Sequence, residues 1–357
     1  MMAESEHILG TRLPFDLDAT LAAANLKARL YAVDRDSWRS AADRAEYVPV
    51  AYSRAMTDYQ LAYWRDSAQE IFDLSLVLYQ DKHPCGIWPL SLSVAAGARI
   101  GSNGDALLPP LFVAGLTANV RKKLLQGCLE IIDMLARKFD IGQWQSVDAF
   151  SNLSGISEWQ HLALCRGASV NCSHELFIDL QPSVTEIKSG FRKSYRPLVS
   201  LGTKLWQISV LNSRDDNVWS EFKNLHREVA GKVTRSDDSW RLQHEAIASG
   251  DAFLVYLRDA AQRMVGGGFF QVTRDEGVYA VAAYDRALFD KPLGHAVQYR
   301  AVEEMKNRGI RWYKIGARPY PGDQPPPSAK ELRIAEFKQG FASHIFPCYR
   351  LTSSICH

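Results

Sequence analysis

"AFLVYLRDAAQRMVGGGFFQVTRDEGVYAVAAYDRALFDKPLGHAVQYRAVEEMKNRGIRWYKIG", residues 252–316, changes its hydrophobic period near residue 294, and that change decides the fold. "AFLVYLRD" and "MVGGGFFQVT" are apolar runs on either side of the polar turn "AAQR", and "GVYAVAAYD" is a third run. All three read as strands. "GHAVQYRAVEEMKNRG" then carries helical spacing and stops at Gly309, a residue suited to the left-handed turn after a helix. "IRWYKIG" returns to strand.

The same order stands earlier. "DLSLVLYQ" and "GIWPLSLSVA" flank the polar turn "DKHPC", and "PPLFVAGL" reads as a third short strand. "TANVRKKLLQGCLEIIDMLARKF" follows, with Leu124, Leu125, Cys128, Ile131, Ile132 and Leu135 on one helical face and Thr117 or Asn119 as cap. Strand–turn–strand–strand–helix therefore occurs near 73–139 and again near 252–309, an internal structural duplication without close identity between the copies. Residues 52–71 read as an amphipathic helix, and 1–50 give no clear pattern. The expected division is an N-terminal segment 1–50, a first domain 51–172 and a second domain 173–357, starting where "ELFIDL" opens a new strand. The fold class is α+β, with mainly antiparallel sheets.

Composition fits this. A chain of 357 residues exceeds what one core usually fills. Hydrophobic residues make up 46% and charged residues 23%, as in ordinary globular proteins. With 42 basic and 40 acidic residues the net charge is +2, which gives no strong electrostatic case for nucleic acid and leaves room only for a local basic patch. The cysteines at 85, 128, 165, 172, 348 and 356 form neither a CxxC pair nor a metal-ligand spacing. They read as free thiols of a reducing compartment, and no run of apolar residues is long enough to span a membrane. A cytoplasmic protein without a metal is expected; oligomeric state is not legible.

Three stretches can carry chemistry. In "YDRALFDKPLGHAVQYRAVEEM" a strand ends at Tyr284 and a helix starts near Gly294. A glycine there lets backbone approach a ligand, and the first helical turn offers N–H groups to an anion. Lys291-x-x-Gly294-x-Ala296 is a loose form of the Gln/Arg-x-x-Gly-x-Gly/Ala signature of GNAT N-acyltransferases, in which backbone holds a coenzyme A pyrophosphate. An ordinary strand–loop–helix turn explains it about as well. "SVTEIKSGFRKSYRPLVSLG" has a capping-box pattern at Ser183 and Glu186, then Arg192, Lys193 and Arg196 spaced to share one helix face. The third stretch is "ELRIAEFKQGF", with Lys338 between Phe337 and Phe341.

Taken in order, "FRKSYR", the strand "VYAVAAY", a helix ending "NRG", the strand "WYKIG" and the closing "FKQGF" resemble the FemAB/FemX-like branch of the GNAT superfamily. The resemblance is best over 176–346 and implies two tandem GNAT-like domains. Members of that branch move an aminoacyl group from tRNA to an amine of a peptidoglycan precursor, and their relatives acylate other amines. The resemblance maps the family's Phe-Lys onto Phe337 and Lys338, the lysine steadying negative charge as the acyl carbonyl is attacked. The alanines at 280, 282 and 283 thin the family's tyrosine-rich strand, and Tyr279 and Tyr284 remain.

The site expected is Lys338, His295 and Tyr284 for catalysis and Lys291, Gly294, His295 and Ala296 for the donor. Arg192, Tyr195, Arg227, Arg235, Tyr279, Asp285, Arg286 and Phe337 are expected at the acceptor. A plainer reading stands beside each: solvated helix charge for the arginines, a wet-tipped core ring for Tyr195, turn chemistry for Asp285. The expected activity is transfer of an acyl group, acetyl first, from an acyl-CoA thioester to an amine of a small anionic acceptor such as a nucleotide-linked amino sugar. The alternatives are aminoacyl-tRNA-dependent transfer and a GNAT-like fold that only binds.

Overall fold

The structure is a computed structural model, and it describes residues 7–8, 11–65, 70–94, 97–148 and 155–354. The chain forms two compact units, Met1–Cys172 with Cys348–His357, and Ser173–Pro347. Among the described residues no helix is long and apolar enough to cross a membrane.

In the first unit, strands Ala28–Leu30, Leu76–Gln80, His83–Trp88 and Leu111–Phe112 form an antiparallel sheet in that order. The hairpin turn is tighter than the sequence suggests: Asp81, at φ +57°, and Lys82 suffice, and His83 already pairs with Gln80. The following strand stops at Trp88, before Pro89, which has no N–H to donate. Ser91–Ser93 joins a separate three-stranded sheet with Ile71–Asp73 and Arg99–Gly101. The long helix Ala118–Lys138 turns Leu124, Leu125, Cys128, Ile131, Ile132 and Leu135 into the core, the face its spacing indicated. Thr117 is its N-cap residue, without a side-chain capping bond. Residues 1–50 contribute the helices Leu17–Ala23 and Arg35–Asp43, and the amphipathic helix runs Arg54–Arg65.

The second unit carries the longer sheet. Its elements are β1 (Ser169–Asp179, entering from the first unit), α1 (Val184–Gly190), α2 (Tyr195–Leu205), β2 (Gln207–Leu211), α3 (Asp216–Ala230), α4 (Asp237–Ala248), β3 (Ala252–Arg258), β4 (Met264–Val272), β5 (Glu276–Tyr284), α5 (Leu293–Asn307), β6 (Trp312–Ala317) and α6 (Ala329–Gln339). Strand order is β1-β6-β5-β4-β3-β2, antiparallel except for β5 and β6. Gly309, at φ +75°, turns the chain after α5 into β6. One face of the sheet buries Phe253, Phe270 and Tyr313 against Val297, Ala301 and Met305 of α5.

The basic stretch after Ser183 departs from a single helix. The capping box at Ser183 and Glu186 is formed, but α1 ends at Gly190, and Arg192 and Lys193 lie in the turn before α2. Pro197 is the reason a second helix can start here: it sits in the first turn of α2, where its missing N–H is not needed. Arg192, Lys193 and Arg196 therefore do not share one helical face.

Candidate functional site

Parallel strands β5 and β6 stay paired over only three residues each, Glu276–Val278 against Trp312–Lys314. Beyond them the strands part, so the C-terminal halves of both present unpaired backbone to one another. α5 follows β5 and α6 follows β6, and the two helices wall the opening. The result is a cleft of about 920 Å³ within the second unit, lined by Tyr279, Tyr284, Arg286, Lys291, Gly294, His295, Phe337 and Lys338 among others.

Lys338 reaches from α6 into the parting of the strands. Its ammonium lies 5.4 Å from the Tyr279 ring centre on β5 and against Gly316 on β6. Burial lowers its pKa from the ordinary lysine value, and no carboxylate among the described residues holds it up. Phe337, its neighbour, packs edge-on to His295 at 5.2 Å and to Phe341 at 5.3 Å. α6 begins with a capping box, Ser328 with Glu331, which fixes where its face begins.

His295 stands in the first turn of α5 within a box of rings, 4.5 Å from Tyr195 and 5.7 Å from Phe341. Desolvation alone brings its pKa down to about 4, so the imidazole is neutral at pH 7. Its Nε2 is sealed from solvent and has no hydrogen-bond partner among the described residues. The Tyr279 and Tyr284 hydroxyls bond to each other at 2.9 Å. Burial raises both, Tyr279 to about 12 and Tyr284 well above its usual value. Both are neutral hydroxyls at pH 7; the bond between them uses one of the two O–H donors, and the other is left to meet a developing oxyanion.

At the α5 N-terminus, the Leu293 N–H is used by the Lys291 carbonyl and the Ala296 N–H by the Pro292 carbonyl. The N–H groups of Gly294 and His295 have no backbone acceptor among the described residues, as expected for a first turn. A donor phosphate fits there in charge. In shape the fit is restricted, because Gly294 faces Phe337: a Cβ on it would lie 2.9 Å from Cζ.

Some expected residues stand elsewhere. Ala296 is fully buried, with its Cβ against Gly202 of α2, so only its backbone faces the turn. Arg192 bonds the Glu336 carbonyl at 3.2 Å, and its N–H holds the Gly340 carbonyl at 2.7 Å, so it anchors the end of α6 from behind. Tyr195 packs on Gly340, where no Cβ has room, and braces His295 and Phe337 rather than lining the cleft. Asp285 caps the short turn Arg286–Leu288 and pairs with Arg263 at 2.9 Å. Lys291 lines the cleft and pairs with Asp290 at 2.7 Å. Arg227 and Arg235 lie at a different cavity.

Sequence reasoning missed Lys330, Arg333 and Ile334, which line the cleft from α6. Their spacing with Phe337 and Lys338 is that of one helical face and was legible once a helix was placed there. With them the cleft has five cations, Arg286, Lys291, Lys330, Arg333 and Lys338, and none of its described lining residues is acidic. Such a pocket suits a ligand with an anionic part and an apolar part.

No protein-family model and no curated protein matches this sequence. Solved structures do match in fold. FemX superposes with a TM-score of 0.65 at 11% identity, over 90% of this chain and 96% of that one. L-PGS from Bacillus licheniformis gives 0.56 at 10% identity, over 88% and 90%. A tandem GNAT protein from the clavulanic acid biosynthesis pathway gives 0.50 at 14% identity, over 93% and 99%. The chain has the tandem GNAT-like fold of these proteins.

Proposed function

We propose that the chain is an N-acyltransferase whose reaction takes place in the cleft between the parted ends of β5 and β6. The observation that carries this reading is Lys338, a desolvated cation with no carboxylate paired to it among the described residues, held over Tyr279 where an acyl carbonyl can enter. A fixed charge of this kind stabilises a tetrahedral oxyanion more than the ground-state carbonyl. The donor is an acyl-CoA, acetyl first, with its phosphates toward Lys330, Arg333, Lys291 and the free N–H groups of α5. The acceptor is the amine of a small anionic molecule, for which a nucleotide-linked amino sugar is our choice.

In the step proposed, the neutral amine attacks the thioester carbonyl and a C–N bond forms. Lys338 and the Tyr284 hydroxyl meet the oxyanion. The tetrahedral species collapses with loss of the C–S bond, the thiolate leaves, and the nitrogen's surplus proton passes to His295 or solvent. Neutral His295 is suited to accept it in charge; with Nε2 sealed from solvent, Nδ1 is the nitrogen left for that task.

A second reading, aminoacyl transfer from tRNA, has one observation in its favour. Lys338 occupies the gap between the strands, where the extended arm of a thioester donor would otherwise pair with free strand edges. The likeness to FemX is compatible with either donor. Mass spectrometry of products decides: the protein is incubated with acetyl-CoA and a panel of amino sugars, and separately with aminoacyl-tRNA. Acetylated amine in the first arm supports the proposal, and product only in the second arm replaces it with the tRNA reading. No product in either arm favours a fold that only binds.

A further inference from the structure

Arg227 and Arg235 border a cavity of their own, about 250 Å³, where α3 ends and the loop to α4 turns over Trp240. Lys223, Lys232 and His226 complete its basic wall, and Asp237 is the one carboxylate among the described lining residues. Four cations against one carboxylate leave a charge of +3, that is 4 − 1, with the imidazole neutral.

The wall is ordered in advance. Arg235 Nη1 donates to His226 Nε2 at 3.2 Å and to Thr234 Oγ1 at 3.3 Å, and its guanidinium lies 5.3 Å from the Trp240 ring centre. An arginine held from several sides loses little freedom when an anion arrives. Burial and the Arg235 charge lower the His226 pKa to about 4, which keeps Nε2 an acceptor for Arg235. Lys223 has 25% of its side chain exposed, whereas its partner Asp237 has 90% exposed. Asp237 is hydrogen-bonded to Lys223 and offsets its charge, which the net of +3 already counts.

The C-terminal end of α3 touches both cavities. Between Arg227 and Lys232 lies Val229, which lines the cleft and whose carbonyl accepts from Arg286 at 2.6 Å. We propose that the smaller cavity binds a phosphate-bearing small molecule, and that this anion is the remote end of the acceptor. The second half of that statement rests on the acyl-transfer reading; the anion site does not. The volume equals that of about eight waters, enough for a diphosphate. The cations converge on one concavity, whereas a nucleic-acid backbone is tracked by cations strung along a groove.

Isothermal titration of the full chain with inorganic pyrophosphate tests it. The variants are Arg235→Gln, the double variant Arg227→Glu/Lys232→Glu at two exposed positions, and Arg333→Glu in the cleft. The expected result is a binding event kept in Arg333→Glu and weakened at least tenfold in the other two, with thermal melts showing all three folded. Unchanged affinity in the double variant, or loss in Arg333→Glu alone, overturns the site. A short RNA hairpin that binds more tightly than pyrophosphate, and is released by the double variant, overturns the small-molecule assignment. Product assays with acetyl-CoA are scored separately. Acyl transfer without pyrophosphate binding sinks this inference and leaves the activity. Pyrophosphate binding without any transfer supports the anion site and sinks its role as acceptor site.

Discussion

The Lys338 ammonium rests on the bare Cα of Gly316: a Cβ built on that glycine would lie 2.6 Å from Nζ. Gly316 also has φ +143°, a conformation that costs any other residue of order 1–3 kcal/mol. Gly316→Ala is therefore expected to lower stability by about that amount and to push the ammonium off the strand. If Lys338 acts on the oxyanion, turnover falls with little change in the donor KM. Denaturant melts and steady-state kinetics on the same preparation check both parts.

Lys338→Met keeps most of the stem and removes the charge. Turnover is expected to fall on the order of a hundredfold, the usual cost of losing one oxyanion partner, with the donor KM nearly constant. Unchanged turnover would make Lys338 an ordinary buried-stem lysine, and a raised acceptor KM alone would make it a recognition residue. The pH dependence adds an independent check. Burial favours the neutral amine, so the proton leaves below the ordinary lysine value and the charge is lost as pH rises through the lowered pKa. The alkaline limb of kcat should lie below pH ~10.4, and Lys338→Arg should move it upward or abolish it.

The order of elements in the second unit was legible because its apolar runs are short, unbroken and bounded by turns, and because α5 is long enough to show its period. The Phe337–Lys338 pair was placed by resemblance, and its surroundings were not. Lys338 meets Tyr279 and Gly316 from separate strands, and nothing local in "FKQGF" announces two strands parting. Arg192 and Tyr195 looked like cleft residues because they are polar and near a basic run. Their role depends on Gly340, some 145 residues away in sequence, whose lack of a side chain admits the Tyr195 ring. Ala296 matched a signature position, but its Cβ faces a neighbouring helix, which a linear pattern cannot register.

His295 gives a stability test with a definite sign. Its folded-state pKa of about 4 lies below the unfolded value of about 6.5, so the unfolded chain binds the proton more readily. Its contribution is fully present above pH ~6.5 and is lost as pH falls toward about 4. His295→Gln should flatten the drop in unfolding free energy between these limits relative to the parent protein. Urea titrations at several pH values measure it, and parallel curves for the two proteins would contradict burial of the neutral ring.

Arg333 lines the cleft from the helix face that also carries Lys330, Phe337 and Lys338. Its expected task is to hold the donor's phosphates, an interaction present equally in ground and transition states. Arg333→Gln should therefore raise the donor KM about tenfold while leaving kcat within a factor of two or so, the pattern of lost uniform binding. High salt should narrow the difference, because solvent-facing charges are screened. A fall in kcat with an unchanged KM would move Arg333 to the reacting centre.

Gly294 separates two explanations of one residue. A Cβ there would lie 2.9 Å from Phe337 Cζ, so the glycine is required by the packing of α6 on α5 whatever binds nearby. It was also expected to let a donor phosphate approach the helix backbone. On the packing account, Gly294→Ala displaces Phe337 and with it Lys338. Stability falls by about 1–3 kcal/mol, as for other overpacked contacts, and turnover falls too. Phe337→Leu shortens the ring, so the double variant should recover much of that loss, a coupling that a double-mutant cycle reads directly. On the phosphate account, Gly294→Ala raises the donor KM by the same factor whether residue 337 is Phe or Leu. Calorimetric affinity for coenzyme A in the four proteins of the cycle distinguishes them: additive losses favour the phosphate, and rescue favours the ring.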